Sequence, residues 1–222
     1  YNCGYIKNRY QAMYKAPEKS IIAYNSASFD TTPYLIKPEK KLTISYFGNL
    51  GVGRVASIME IADFLMECHP DLKIDVYGRP SERDEQLMSR HPSIVLHGFV
   101  GQDTLLKVRE NSDILLHTES FDPDIVPKLK NAFSTKIAQC LCSGRCLLTY
   151  APIDMASTDY LLTEACACVA SSKEEMKAKL NELIENPELR LMYANRALDS
   201  ARKNHDKQIT AELVKKSIGG LL

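Results

Sequence analysis

The feature that most constrains the fold is a regular alternation, from residue 41 onward, of short apolar runs with amphipathic helical patterns. Apolar runs bounded by glycine predict buried strands, and apolar residues at helical spacing predict a helix with one buried face. The predicted strands are 42–48, 72–77, 93–97, 113–117, 146–150 and 166–170. The predicted helices are 54–69, 81–91, 103–111, a short helix after Thr135, 154–164, 173–185, 187–204 and the tail from 207.

Short connections between these elements predict a parallel sheet with helices on both faces, because parallel neighbours are joined by crossover helices. The doubly wound α/β fold is the natural solution. Right-handed crossovers place the loops that follow the strands along one edge of the sheet, and ligands bind there.

Residues 1–36 lack this alternation. They are rich in tyrosine, with a predicted strand at Ser20–Tyr24 followed by a loop over 25–40. We interpret 1–36 as the tail of a preceding domain plus a linker, and 37–222 as the α/β domain. The chain begins Tyr1-Asn2-Cys3, without an initiator methionine, which favours a segment of a longer protein.

Composition excludes several classes of function. The 28 basic residues balance the 28 acidic ones, so no overall field attracts nucleic acid or an anionic membrane. No apolar run approaches the roughly 18 residues of a membrane span, and no secretory signal is visible. The seven cysteines lie in apolar segments, which favours reduced thiols in a cytoplasmic protein. Cys140 and Cys142 lie about 200° apart on a helix, so they are poorly placed to chelate zinc together.

The segment 134–148 reads as a polar loop, a helix and a buried strand. Ser134 or Thr135 is expected to cap the helix, which puts Lys136 in the first turn, where the helix dipole repels a cation. An anion held by Ser134, Thr135 and Lys136 would remove that conflict. Gln139 shares their face of the helix, and its amide can bond sugar hydroxyls. The alternative is a capped helix with a solvated lysine.

A glycine-rich turn follows the first strand. The glycines Gly48, Gly51 and Gly53 allow close approach of a ligand, and Arg54 opens the next helix, where a guanidinium suits a diphosphate. One alternative is a tight turn with a solvated arginine. The other is a dinucleotide site, because Gly51–Ala56 matches G-x-G-x-x-A, with Arg79 as a partner for the 2′-phosphate of NADP.

Two further segments lie at predicted strand ends. Gly98, Phe99 and Val100 offer backbone groups and a flat side chain to a base; the alternative is an ordinary strand exit with a core phenylalanine. The loop 118–124 carries three acids, including Glu119, that can bind hydroxyls or a metal; the alternative is a solvated acidic loop.

These segments occur in a familiar order. The chain from about 41 to 205 resembles the C-terminal, donor-binding domain of family-4 glycosyltransferases, also called glycosyl transferases group 1, which have the GT-B fold. The segment Phe133–Ile137, continued through Leu141 and Gly144-Arg145, is similar to the "PSKlfEyLasGkP" pattern of the family. The segments that resemble other family strand ends are Tyr46–Leu50 with Gly53-Arg54, Val76–Gly78, Val95–Val100 and Ser112–Leu116.

The resemblance implies a Rossmann-like sheet that forms one half of a two-domain GT-B enzyme. It implies a hexosyltransferase-like, retaining enzyme of polysaccharide or glycoconjugate biosynthesis, whose donor is a UDP- or GDP-linked sugar. Cofactor and metal are not expected, because two cations neutralise the diphosphate. The acceptor, a glycan or lipid-linked molecule, and a catalytic histidine belong to the other domain. We therefore expect this segment alone to be inactive, and any membrane contact to be made by the other domain.

Carried over residue by residue, the resemblance assigns three groups of contacts. The diphosphate is expected at Gly51, Gly53, Arg54, Ser134, Thr135 and Lys136. The base and ribose are expected at Gly98, Phe99, Val100 and Gln139, and the sugar at Glu119 and Asn131. The family commonly carries two glutamates, with seven residues between them, where this chain has Asn131 and Gln139. That departure leaves a non-catalytic, nucleotide-binding descendant as an alternative, beside the NADP-type oxidoreductase domain.

Overall fold

The computed structural model describes residues 1–14, 20–30, 32–36 and 40–219. Its centre is a six-stranded sheet in the order β3-β2-β1-β4-β5-β6, and all strand pairs are parallel. The strands are β1 (Ile44–Phe47), β2 (Ile74–Tyr77), β3 (Ile94–Gly98), β4 (Ile114–Thr118), β5 (Cys146–Tyr150) and β6 (Cys168–Ala170). The predicted doubly wound α/β fold is confirmed.

Helices flank the sheet on both faces. They are α1 (Gly4–Met13), α2 (Arg54–Cys68), α3 (Glu82–Ser89), α4 (Gln102–Asn111), α5 (Val126–Leu129), α6 (Lys136–Cys142), α7 (Ala156–Thr163), α8 (Lys173–Glu185), α9 (Pro187–Asn204) and α10 (Lys207–Gly219). The short helix α5 lies in the segment expected to be a loop. Two predicted helix caps are confirmed: the Ser81 hydroxyl accepts from the Asp84 N–H, and the Ser172 hydroxyl from the Glu175 N–H.

The central strands are buried on both faces, because each face is covered by its own apolar cluster. Alternate residues of a strand point to opposite faces, so Ile44 and Tyr46 join one cluster while Phe47 joins the other. In β4 the same division separates Leu116 from Leu115. Six of the seven cysteines are buried, all seven are free, and Cys68 is exposed, which fits the expectation of reduced thiols.

The N-terminal segment packs on the domain. Helix α1 lies against α7, Ala27 forms a parallel bridge with Asp206, and Arg109 makes a two-pronged hydrogen bond with Asp30. The predicted strand Ser20–Tyr24 is wrong: within the described residues this segment pairs with no strand, because its backbone bonds to Tyr1 and Tyr24 packs on Tyr160 of α7. The predicted boundary at residue 37 lies outside the described residues.

The order of the sheet fixes where a ligand can bind. Crossovers from β1 proceed outward through β2 to β3, and then outward on the other side through β4 to β6. The loops after β1 and β4 therefore diverge and leave a crevice at their carboxyl ends, the switch point at which doubly wound proteins bind ligands.

Candidate functional site

A cavity of about 380 Å³ opens at this switch point. It brings together six of the residues predicted from sequence, which come from distant parts of the chain. The lining residues are Tyr46, Phe47, Gly48, Asn49, Arg54, Leu105, His117, Glu119, Ala132, Phe133, Ser134, Thr135, Lys136 and Gln139.

Lys136 is the cation of this cavity that is available to bind an anionic ligand. Its ammonium donates to the Leu116 carbonyl at 3.3 Å and lies 3.8 Å from the centre of the Tyr46 ring. In the described part of the chain no carboxylate lies within ion-pair distance of it. Burial, reinforced by the Arg54 charge, lowers the pKa of Lys136 to about 8, although Cys140 and Glu119 act in the opposite direction. An anion in the cavity would relieve this cost.

The start of α6 differs from the prediction. Thr135 occupies the position before the helix, but neither its hydroxyl nor that of Ser134 bonds to the helix backbone. The Ser134 N–H donates to the Ser157 hydroxyl, and the Ser134 carbonyl accepts from the Ile137 N–H. Thr135 already has helical dihedral angles, which turn its side chain away from the free N–H groups. The predicted side-chain cap is therefore wrong, and both residues line the cavity without it.

Arg54 and Glu119 form a largely buried ion pair in the wall of the same cavity. One guanidinium nitrogen lies 3.1 Å from one carboxylate oxygen and 2.9 Å from the other. The Ser57 hydroxyl donates to the Glu119 carbonyl and holds that residue in place. The alternatives of a solvated arginine and a solvated Glu119 are both wrong, because each residue is the other's partner. In contrast, Asp122 and Asp124 of the same loop are exposed.

The glycines of the first turn divide into two groups. Gly51 and Gly53 do not line the cavity, and Gly53 adopts a left-handed conformation against the Ser120 side chain. Gly48, which directly follows β1, does line it and has φ 123°. A side chain on Gly48 would point at the stem of Lys136, 3.4 Å away. Of the three glycines, Gly48 is therefore the one whose backbone borders the cavity.

A second cavity, of about 330 Å³, adjoins the first and shares Gly48, Asn49 and Leu105 with it. Its remaining lining residues are Tyr77, Gly78, Arg79, Phe99 and Val100. The Phe99 ring is 73% exposed, so the core-phenylalanine alternative is wrong. The Arg79 guanidinium lies 5.4 Å from the centre of that ring. Gly98 lines neither of these cavities; it borders a third depression, which also involves Arg79 and Phe99.

The sequence reasoning did not single out His117 as a site residue. His117 is 1% exposed, and among the described residues neither of its ring nitrogens has a hydrogen-bond partner. Its position in an apolar strand hid it, although the strand end was itself a signal. Gln139 lines the cavity as expected, whereas Asn131 is exposed and lines neither cavity.

Two negative observations concern the described ranges 1–14, 20–30, 32–36 and 40–219. No three His, Cys, Asp or Glu side chains are grouped so as to hold a metal ion. None of the helices there combines the length and apolarity that crossing a bilayer takes.

A doubly wound parallel sheet with a cationic cavity at its switch point defines a Rossmann-like domain that matches those of GT-B glycosyltransferases. The model of the family described as "Glycosyl transferase-like" matches residues 59–214, more than half of the chain, and the protein belongs to that family. No curated protein matches the sequence.

Solved glycosyltransferase structures share the fold. A glycosyltransferase from Rickettsia africae ESF-5 superposes with a TM-score of 0.73 at 13% identity, covering 98% of this chain and 62% of that one. The lipopolysaccharide outer core galactosyltransferase WaaB gives 0.70 at 12% identity, covering 99% and 61%. Anabaena HepE, in complex with UDP and glucose, gives 0.67 at 14% identity, covering 90% and 56%. The chain therefore spans about three fifths of the length of these relatives.

Proposed function

We propose that this chain is the donor-binding part of a retaining, family-4 glycosyltransferase that uses a UDP- or GDP-linked sugar. The reaction would take place in polysaccharide or glycoconjugate biosynthesis in the cytoplasm. The acceptor and further catalytic groups would belong to a domain outside these residues, so that this segment binds donor without turnover.

The observation that carries the proposal is the position of Lys136. A half-buried lysine, whose ammonium has no carboxylate partner in the described chain, lines a cavity at the switch point of a doubly wound sheet. A diphosphate matches such a cation in charge and supplies several acceptor oxygens. When the sugar leaves, negative charge develops on the diphosphate, and a preorganised cation stabilises that charge. Arg54 is already committed to Glu119, so we assign the larger share of this work to Lys136.

The shape of the site also supports an extended ligand. The two cavities run together along the carboxyl ends of β3, β2, β1 and β4. Three strand spacings of about 4.8 Å correspond to roughly 14 Å. That length accommodates a base at Phe99, a diphosphate at Lys136 and a sugar beyond it. Gly48 lies at the junction, where the lack of a side chain keeps the passage open.

The relatives favour this proposal over its alternatives. HepE is in complex with UDP and glucose, and WaaB acts on the lipopolysaccharide outer core. Membership of the glycosyl transferase-like family argues against an NADP-type oxidoreductase domain. The structure also places Gly51 and Gly53 of the G-x-G-x-x-A match outside both cavities. A non-catalytic descendant would bind nucleotide as our proposal expects. It would differ in one respect: the longer protein would not transfer the sugar.

The test is isothermal titration of the chain with UDP, GDP, UDP-sugars, GDP-mannose and NADP. We expect one nucleoside diphosphate and its sugar to bind, and NADP not to bind. Lys136→Met keeps the aliphatic stem and removes the charge; loss of a charge-assisted hydrogen bond predicts roughly ten- to hundredfold weaker binding. Lys128→Met, at an exposed lysine of the nearby helix α5, is the control and should leave affinity unchanged. Binding of NADP alone, or equal effects of both variants, would contradict the proposal.

A further inference from the structure

His117 is a buried polar side chain that the fold leaves unsatisfied. It lines the switch-point cavity, is 1% exposed, and neither ring nitrogen has a hydrogen-bond partner among the described residues. A buried imidazole without a partner costs free energy comparable to a lost hydrogen bond. An apolar residue would fit this strand position, between Leu116 and Thr118, without that cost. The histidine therefore contributes nothing to the stability of the fold that an apolar residue would not.

The surroundings of His117 define what can satisfy it. Its Nε2 lies 3.7 Å from a Glu119 carboxylate oxygen, which is beyond hydrogen-bonding distance. The nearby Lys136 and Arg54 charges, together with burial, keep the pKa of His117 well below its usual range, so the ring is neutral. A neutral imidazole has one donor and one acceptor nitrogen. The carboxylate beside it only accepts.

A hydroxyl fits between these two groups better than a phosphate oxygen does. A hydroxyl can donate to Glu119 and accept from the His117 N–H, or donate to the ring and accept elsewhere. A diphosphate oxygen has no proton to offer at neutral pH and would be repelled by the carboxylate. The two cations of the cavity also have different partners. Arg54 neutralises Glu119, and Lys136 remains available to a diphosphate.

A nucleotide sugar has hydroxyls in two places, and the geometry distinguishes them. The ribose lies between base and diphosphate, whereas the transferred sugar lies beyond the diphosphate. His117 and Glu119 line only the cavity that contains Lys136, and they are absent from the cavity beside Phe99. They follow β4, on the far side of β1 from β3. Because β4 is the strand farthest from β3 among those that the two cavities span, we assign this position to the sugar rather than to the ribose.

We propose that His117 joins Glu119, the sugar contact expected from the resemblance, in binding a hydroxyl of the transferred sugar and so contributes to the choice of donor. This inference rests on the proposed function and deepens it: it adds His117 to the site and names the chemical group that His117 recognises. No covalent step is assigned to either residue.

The experiment compares matched ligand pairs: UDP with UDP-glucose, UDP-galactose and UDP-N-acetylglucosamine, and GDP with GDP-mannose. His117→Phe retains a planar ring without hydrogen bonding. We expect it to weaken binding of the preferred nucleotide sugar roughly tenfold and to leave the parent diphosphate within about twofold, because only the sugar contact is lost. His117→Gln, which can donate and accept, should restore part of the sugar affinity.

The control is Thr149→Val. Thr149 is the direct strand neighbour of His117, is fully buried with an unpartnered hydroxyl in the described chain, and does not line the cavity. We expect this variant to change neither affinity, and thermal unfolding checks that all variants are folded. Equal weakening of sugar and diphosphate, or no change in either, would overturn the role of His117 while leaving the proposed function intact. If the wild-type chain bound no nucleoside diphosphate, the proposed function and this inference would both be wrong.

Discussion

Arg54 and Glu119 are held together at the carboxyl edge of the sheet, with a single guanidinium nitrogen 3.1 Å and 2.9 Å from the two carboxylate oxygens. The carboxylate is 5% exposed and the guanidinium-bearing side chain 15%. This pair links the start of α2 to the end of β4. The Glu119 carboxylate is also an anion in the cavity wall. Because it already pairs with Arg54, it limits how far that guanidinium can interact with a ligand.

Removing that anion should destabilise the fold. Glu119→Gln leaves Arg54 buried without its partner, and breaking a buried pair in this way costs about 3 kcal/mol or more. Urea unfolding measures the loss. UDP should bind at least as tightly, because Arg54 becomes available to the diphosphate. Asp124→Asn, at an exposed acid of the same loop, is the control and should be neutral. A loss of stability equal to that of the control would contradict the prediction.

The half-buried side chain of Lys136 should contribute to the pH dependence of stability. Its pKa falls from 10.5 in the unfolded chain to about 8 in the fold, chiefly through burial. Below this window both states bind the proton, and within it the unfolded chain binds more. Raising the pH from about 8 to about 10.5 therefore stabilises the native state through this group, by up to about 3 kcal/mol.

The comparison that isolates this contribution is urea unfolding of the wild-type chain and Lys136→Met across that window. Groups remote from Lys136 titrate equally in both proteins, so their contributions cancel in the difference. The stability of the wild type should rise relative to the variant with increasing pH. Parallel profiles would show that Lys136 titrates as it does in water.

Gly78 allows two strand ends to approach each other. A methyl group there would lie 2.4 Å from the Gly48 carbonyl oxygen, which is part of the wall shared by the cavities. Gly78→Ala must displace that backbone, and overpacking of this kind costs about 1–3 kcal/mol. We expect lower thermal stability together with weaker UDP binding. Gly101→Ala meets no atom within 4 Å and is the matched control; equal effects of the two substitutions would contradict the steric argument.

Arg145 contributes to stability, although it belongs to the segment that resembles the family motif. Its side chain is 1% exposed and donates to four backbone carbonyls, those of Thr32, Glu110, Ser143 and Gly144. Arg145→Met leaves these acceptors unsatisfied, and we expect a loss of about 3 kcal/mol or more in the free energy of unfolding. Arg202→Met, at an exposed arginine, should be neutral. Unchanged stability in Arg145→Met would show that water replaces the guanidinium.

Phe99 should affect binding without affecting the fold. Its ring is 73% exposed, so Phe99→Ala removes little buried surface. If a base stacks on the ring, the loss of that stacking weakens UDP or GDP binding by about 1–3 kcal/mol. Titration calorimetry and thermal unfolding test the two statements separately. Ile153→Ala, at another exposed apolar residue, is the control for both. Unchanged nucleotide affinity would remove Phe99 from the site.

The sequence predicted the architecture well. The strands of a buried parallel sheet must be apolar, and glycines and helix-capping residues mark where these apolar runs end. Ser81 and Ser172 each cap the helix that was expected of them. The segment Ser20–Tyr24 shows the limit of the method. Its apolar composition suits a strand, but only the tertiary structure decides whether a neighbouring strand has a free edge.

The candidate site was predictable in location and less so in its interactions. Strand ends located Arg54, Lys136 and Gln139 correctly in one cavity. The partnership between Arg54 and Glu119 depends on a contact across 65 positions, which no local pattern encodes. His117 was missed because a histidine in an apolar strand looks like any other core residue until its neighbours are known.

The junction of β1 with β4 has a consequence for the order in which the molecule assembles. Strands β1 to β3 are neighbours along the chain, whereas pairing β1 with β4 closes a longer loop, so we expect that pairing to be the slower step. Arg54 and Glu119 stand on opposite sides of that junction, so the binding cavity exists only after the two halves have docked. A bound nucleotide would then act as a clip across the junction. Amide hydrogen exchange in β1 and β4 should slow on ligand binding more than exchange in β6.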